Sequence, residues 1–153
     1  MNYNTSICLL ALTAAKSDQY QPQIRAARQF LITTQIDLGE QGKLDNPFDG
    51  GIGYGSRGEH SDMGNTLQAL EALYYSKPAS DSADSGKELN WEAAIHFLQN
   101  CQNLPAFNKQ PWASDDAANK GGFVYHPEES KAGEVQLPGG RVALRSYGSI
   151  SYA

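Results

Sequence analysis

A glycine-rich stretch followed directly by an amphipathic segment places the strongest constraint on the fold of this chain. Residues 49–55 read Asp-Gly-Gly-Ile-Gly-Tyr-Gly, and glycines permit positive φ angles and close passage of neighbouring backbones. Residues 61–76 then place apolar side chains at the spacing of one helical face. These side chains are Met63, Leu67, Leu70, Leu73 and Tyr74. The two segments together predict a tight turn that leads into a helix.

Parts of this unit recur along the chain. The pair Gly50-Gly51 with Tyr54 returns as Gly121-Gly122 with Tyr125, a shift of 71 residues (121 − 50). The predicted helices match at shifts of 61 (65 − 4), 67 (93 − 26) and 84 (148 − 64) residues. The matching pairs are Asn4 with Asn65, Ala26 with Ala93, and Gly64 with Gly148. Similar parts in a fixed order are typical of a repeat architecture.

Composition narrows the classes of partner. The chain has 153 residues, a net charge of −5 and no basic stripe, so one domain is expected and nucleic acid is a poor partner. No apolar run approaches the length of about 20 residues that a membrane span needs. Cys8 and Cys101 are interpreted as buried apolar residues on helices. The apolar segment 7–15 is interpreted as a folded helix rather than a signal-peptide core, since no Lys or Arg precedes it.

The apolar periodicity predicts five helices, at about 4–16, 22–37, 61–76, 91–103 and 147–153. Ser61 and Asn90 are the expected N-caps of the third and fourth helices, and Gly39 and Gly42 are expected to end the second. A small β-hairpin is predicted within 104–145, where apolar runs flank Pro138-Gly139-Gly140. Because the last segment shows no stop signal, we interpret the chain as a single segment, 1–153, of a longer repeat domain, or as one whose open face a partner covers.

Taken together, these motifs resemble the prenyltransferase and squalene oxidase repeat family, which includes the terpene cyclases and the β subunits of protein prenyltransferases. The resemblance covers nearly the whole chain and is greatest to bacterial members. The motifs that carry it are 4–12, 24–31, 50–55, 62–73, 121–125 and 147–153. The resemblance implies an all-α fold, a partial α/α toroid of helical hairpins around an apolar cavity that accepts an isoprenoid ligand. It also implies that the helices at 4–16, 61–76 and 147–153 are inner, and those at 22–37 and 91–103 outer.

The chemistry of such a cyclase needs a protonated carboxyl group in an apolar pocket, with aromatic faces to stabilise cations. The chain has no Asp-X-Asp-Asp sequence, so both an enzyme and a non-catalytic member stay open. Asp62 is the one weak catalytic candidate. The alternative, which we favour, is that Asp62 caps a helix whose positive end stabilises its anion.

Ligand binding is expected of Tyr54 and Tyr125, which follow the two Gly-Gly pairs at matching positions, and then of Tyr147. The alternative is that these aromatic rings pack the glycine turns against helix ends. The histidines and cysteines lack a zinc-ligand spacing, so no metal is expected. The match of residues 53–58 to a dinucleotide motif has no preceding strand, so no cofactor is expected. A non-catalytic module for protein or surface binding is the second hypothesis, and self-association through the open toroid edge is compatible with either.

Overall fold

A computed structural model describes residues 1–55, 60–77 and 88–148. Within these ranges the chain is mainly helical, with four α-helices and one two-stranded antiparallel sheet. The helices are α1 (Asn2–Ala14), α2 (Gln21–Ile32), α3 (Met63–Tyr75) and α4 (Trp91–Asn100), and the strands are β1 (Glu134–Gln136) and β2 (Val142–Leu144). Two short 3₁₀ helices cover Asp18–Tyr20 and Pro138–Gly140.

The first four predicted helices are present, but their ends differ. The largest error is at the end of α2, which stops at Ile32 instead of residue 37. The chain leaves the helical path because Gln35 pairs with Ile52 in an isolated antiparallel bridge. Gly39 and Gly42 therefore do not end the helix, and both adopt a positive φ in the loop beyond it. In the same way α4 ends at Asn100 rather than residue 103, shortly before a second bridge.

The N-cap of α3 is also corrected by the structure. The cap is Asp62, whose Oδ1 accepts the backbone N–H of Asn65 at 2.9 Å. Ser61 does not cap the helix, because its hydroxyl donates to the carbonyl of Phe48 at 2.8 Å. Asn90 caps α4 as predicted. The preferred interpretation of Asp62 as a capping residue is therefore confirmed.

The C-terminal part contains the predicted hairpin. β1 and β2 pair antiparallel, with Val135 opposite Ala143, and Pro138–Gly140 forms the connection between them. Most of the helix predicted at 147–153 lies outside the described residues, and Tyr147 and Gly148 themselves are not helical.

Two buried clusters hold the elements together. α1 packs against both α2 and α3, and α2 also contacts α3. The first cluster joins these helices and contains Leu9, Ile24, Leu31, Ile32, Ile52, Ala69, Ala72, Leu73, Leu89 and Ala94. The second joins α3 and α4 to the C-terminal region and contains Phe48, Met63, Phe97, Cys101, Val124 and Leu144. Cys101 is buried as expected, but Cys8 is exposed, because it lies outside the buried stripe of α1.

The repeated glycine pairs form two equivalent corners. We call residues 48–54 turn 1 and residues 119–125 turn 2. Gly50 and Gly121 hold the same position in their turns, with φ values of 86° and 81°. Positive φ angles of this size favour glycine because a Cβ would crowd the following carbonyl.

The hydrogen bonds of the two turns are also equivalent. The N–H of Gly50 donates to the carbonyl of Ile36, and the N–H of Gly121 donates to that of Asn103, each at 2.8 Å. The side chain of Gln35 donates to the Gly50 carbonyl at 3.0 Å. Gln102 bonds to turn 2 in the same way at 2.8 Å. The predicted shifts of 67 and 71 residues therefore correspond to equivalent positions in the structure.

One predicted shift differs by a residue. The hydroxyls of Ser61 and Ser146 donate to the first carbonyl of their own turn, at 2.8 and 2.7 Å. These serines are 85 residues apart (146 − 61), whereas the pairing of Gly64 with Gly148 requires 84. The 84-residue shift pairs Gly64 and Ala69 with Gly148 and Ala153, and Ala153 lies outside the described residues. Two small residues are too few to fix the register of a segment after a loop of variable length.

Candidate functional site

The tyrosines predicted to bind ligand are the last residues of the two turns. The carbonyl of Tyr54 accepts a hydrogen bond from the amino group of Met1 at 2.8 Å, beside the first residue of α1. The carbonyl of Tyr125 accepts one from the N–H of Met63 at 2.9 Å, at the start of α3. Each turn thus places its tyrosine at the N-terminal end of a helix.

The phenol of Tyr54 is near enough to that of Tyr125 to raise its pKa. Burial raises the pKa of the Tyr125 phenol most, and the negative charge of Asp62 and a hydrogen bond with Tyr54 raise it further. Tyr125 is half-buried, whereas 54% of Tyr54 is exposed. At neutral pH the pair therefore offers a protonated hydroxyl beside a partly open aromatic face.

Three more rings complete an aromatic cluster, which we define as Phe48, Tyr54, His60, Tyr125 and His126. The ring centroids of Phe48 lie 4.7 Å from His60 and 5.5 Å from His126. The ring of Tyr125 is 5.2 Å from that of His126, and the two histidines are 6.0 Å apart. Sequence reasoning considered these histidines only as zinc ligands. Their positions next to turn 2 and to the start of α3 are the signal that could have placed them here.

A cation lies over one face of the cluster. The Nζ of Lys131 is 4.0 Å from the centroid of the Tyr125 ring, within the range of a cation–π interaction. Lys131 also pairs with the carboxylate of Glu129. Both side chains are about half exposed, so this face of the ring is covered by a pair that solvent can reach.

Asp62 directly precedes Met63, which bonds to the Tyr125 carbonyl, and it is buried, with 3% exposure. Its Oδ1 accepts the N–H of Asn65 at 2.9 Å, and its Oδ2 accepts the Asn65 Nδ2 at 2.8 Å. Two donors at a helix N-terminus suit an ionised carboxylate. This arrangement caps α3.

Tyr147 occupies a different position from the other two tyrosines. Its N–H donates to the carbonyl of Phe123 at 3.0 Å, just as the N–H of Asp62 donates to that of Ile52 at 3.3 Å. Tyr147 is therefore the counterpart of Asp62 in the second unit. The structure brings Tyr54 and Tyr125 together and gives Tyr147 another place in the repeat.

In the ranges that the structure describes, no three His, Cys, Asp or Glu side chains are grouped so that they could hold a metal ion. None of the helices there has the length and apolar character needed to cross a bilayer.

Comparison with known proteins finds no match to a protein-family model, a curated protein or a solved structure.

Proposed function

We propose that this chain is part of an α/α-toroid protein of the terpene-cyclase and prenyltransferase superfamily, and that its aromatic cluster binds an apolar isoprenoid ligand. The observation that carries the proposal is the recurrence of Tyr54 and Tyr125 at the same position of two equivalent glycine turns.

The arrangement of the helices supports the toroid. α1 and α3 pack side by side and α2 contacts both, as two inner helices and one outer helix would. The starts of α1 and α3 each bond to the final tyrosine carbonyl of a turn. Both bonds hold the start of a helix against a glycine turn, with the N-cap residue as donor in α1 and the first helical residue as donor in α3.

The chemistry of the cluster supports an isoprenoid ligand. The tilted aromatic rings of the cluster offer apolar area, and their faces attract the polarisable double bonds of a polyprenyl chain. The protonated hydroxyl of Tyr125 can orient a polar end group. The hydrogen bonds to Asp62 leave it a structural role, so the proposal is for binding and not for cyclisation.

A second function, binding to a protein or to another copy of the chain, is favoured by the exposed apolar side chains on α1. Tyr3 and Ile7 lie one helical turn apart and are 44% and 43% exposed. Substitution of Ile7 by Asp should lower the apparent mass in sedimentation velocity if this face self-associates. An unchanged mass in a monomeric wild type would rule self-association out.

Thermal unfolding with geranylgeraniol tests the isoprenoid proposal. A ligand present at 100 times its Kd stabilises the folded chain by about 2.7 kcal/mol, which raises Tm by about 5–10 °C for a chain of this size. The rise should be lost in Tyr54→Ala and Tyr125→Ala. It should persist in Tyr74→Ala, since Tyr74 is exposed near the opposite end of α3.

The absence of any rise in the wild type would refute the proposal. Equal rises in all three variants would refute the assignment of the aromatic cluster as the ligand site.

A further inference from the structure

A tight turn follows Tyr125 and covers residues 126–129. The N–H of His126 donates to the carbonyl of Glu129 at 3.2 Å, and the N–H of Glu129 returns a bond to the carbonyl of His126 at 3.0 Å. The imidazole folds back over this turn, because its Nδ1 accepts the N–H of Glu128 at 3.2 Å. Its Nε2 lies 3.3 Å from Oε2 of Glu129.

These contacts define one protonation state of the ring. Nδ1 can accept the N–H of Glu128 only through a free lone pair, so the ring is neutral and its proton is on Nε2. Nε2–H then faces the carboxylate of Glu129. A second proton on Nδ1 would point at the N–H of Glu128, and two donors cannot form a hydrogen bond. Protonation of His126 at Nδ1 would therefore break the bond that the ring accepts from the Glu128 amide.

The surroundings of the ring favour the neutral form. Burial is the largest influence and lowers the pKa of His126. The carboxylates of Glu129 and Glu128 raise it in part, whereas His60 and Lys131 lower it. The net effect is a pKa below the ordinary value of about 6.5.

We propose that residues 126–129 are a pH-dependent switch, in which protonation of His126 opens the turn and rearranges the side chains around Tyr125. The mechanical link is Glu129, because it belongs to the turn and pairs with Lys131 over the Tyr125 ring. When the turn opens, Glu129 moves and Lys131 loses the partner that holds it there.

The direction of the switch follows from the sign of the pKa change. The unfolded chain binds a proton at His126 more readily than the folded chain, so stability rises with pH in this window. The closed turn is fully populated above pH of about 6.5. It opens as the pH falls through the lower pKa of the folded state.

NMR titration of the intact chain between pH 7.5 and 5 tests the switch without any ligand. We expect the His126 ring to titrate with a midpoint below 6.5, and the Glu128 amide to shift with the same midpoint. The ring-current shift of the Lys131 side chain should be lost over the same range. His96→Gln is the control, because His96 bonds to Asn100 on α4 and should leave this titration unchanged.

A Glu128 amide and a Lys131 side chain that do not change while His126 titrates would overturn the switch, as would a midpoint at or above 6.5. His126→Gln should abolish the Glu128 titration. If this variant does not fold, the comparison of the His126 and Glu128 midpoints in the wild type still tests the switch.

The switch is independent of the proposed function, and separate results test the two. Absence of geranylgeraniol binding with a normal titration would refute that function alone, and normal binding with a flat Glu128 titration would refute the switch alone.

Discussion

Substitution of Gly50 by alanine should be one of the costliest single changes in this chain. The added Cβ would lie 1.8 Å from the carbonyl oxygen of Ala93 and 2.7 Å from the nitrogen of Ala94. Both atoms belong to the backbone of α4, which no rotamer change can move. The left-handed φ of an alanine costs about 1–2 kcal/mol, and forced expansion of a packed site adds about 1–3 kcal/mol. The free energy of unfolding should therefore fall by about 2–5 kcal/mol.

Gly121 provides the matched control in the equivalent turn. Its φ of 81° is close to the 86° of Gly50, but a Cβ there would meet no atom within 4 Å. Gly121→Ala should lose only the backbone term of about 1–2 kcal/mol. Urea unfolding followed by circular dichroism gives both values. Equal losses in the two variants would refute the claim that close packing of turn 1 on α4 is what requires glycine at Gly50.

Three further experiments test the surroundings of the cluster. Asp62→Ala should lower the free energy of unfolding by about 0.5–2 kcal/mol through loss of the α3 cap, and unchanged urea unfolding would contradict that role. Iodoacetamide should label exposed Cys8 in the native chain but Cys101 only in urea, because burial and then the charge of Asp62 raise the pKa of the Cys101 thiol. Mass spectrometry that finds both cysteines labelled in the folded chain would contradict the burial of Cys101. Tyr125→Phe should remove a phenol that ionises above the ordinary tyrosine range in an alkaline absorbance titration, since burial raises its pKa. Loss of a phenol that ionises within the ordinary range would contradict the burial of this hydroxyl.

The existence of the first four helices follows from the sequence, but their ends do not. Apolar spacing is local information, whereas the end of α2 depends on the pairing of Gln35 with Ile52 and that of α4 on Gln102 with Phe123. A helical pattern continues through such residues, so periodicity alone extends the helix too far. The choice between Ser61 and Asp62 as N-cap fails for a related reason. Serine and aspartate can both cap a helix. The choice depends on the folded position of the Phe48 carbonyl, which accepts the hydroxyl of Ser61.

The sequence predicts the tyrosines of the candidate site but not its histidines. Repetition in the sequence marks Tyr54 and Tyr125 as equivalent, and the structure places them at the same position of two equivalent turns. His60 and His126 carry no repeat signal, because they occupy unmatched positions in segments that meet only after folding. The hydrogen bond from the Glu128 N–H to His126 is not predictable from the sequence either, because it requires the conformation of the closed turn.

The bond between the start of a helix and the final tyrosine carbonyl of a turn has a consequence for the substitutions that this chain tolerates there. It joins Met1 to Tyr54 and Met63 to Tyr125, so every joint uses main-chain atoms and runs in one direction along the chain. Main-chain joints do not depend on which side chains stand beside them. Substitution of the side chains at either joint should therefore leave the joint itself in place.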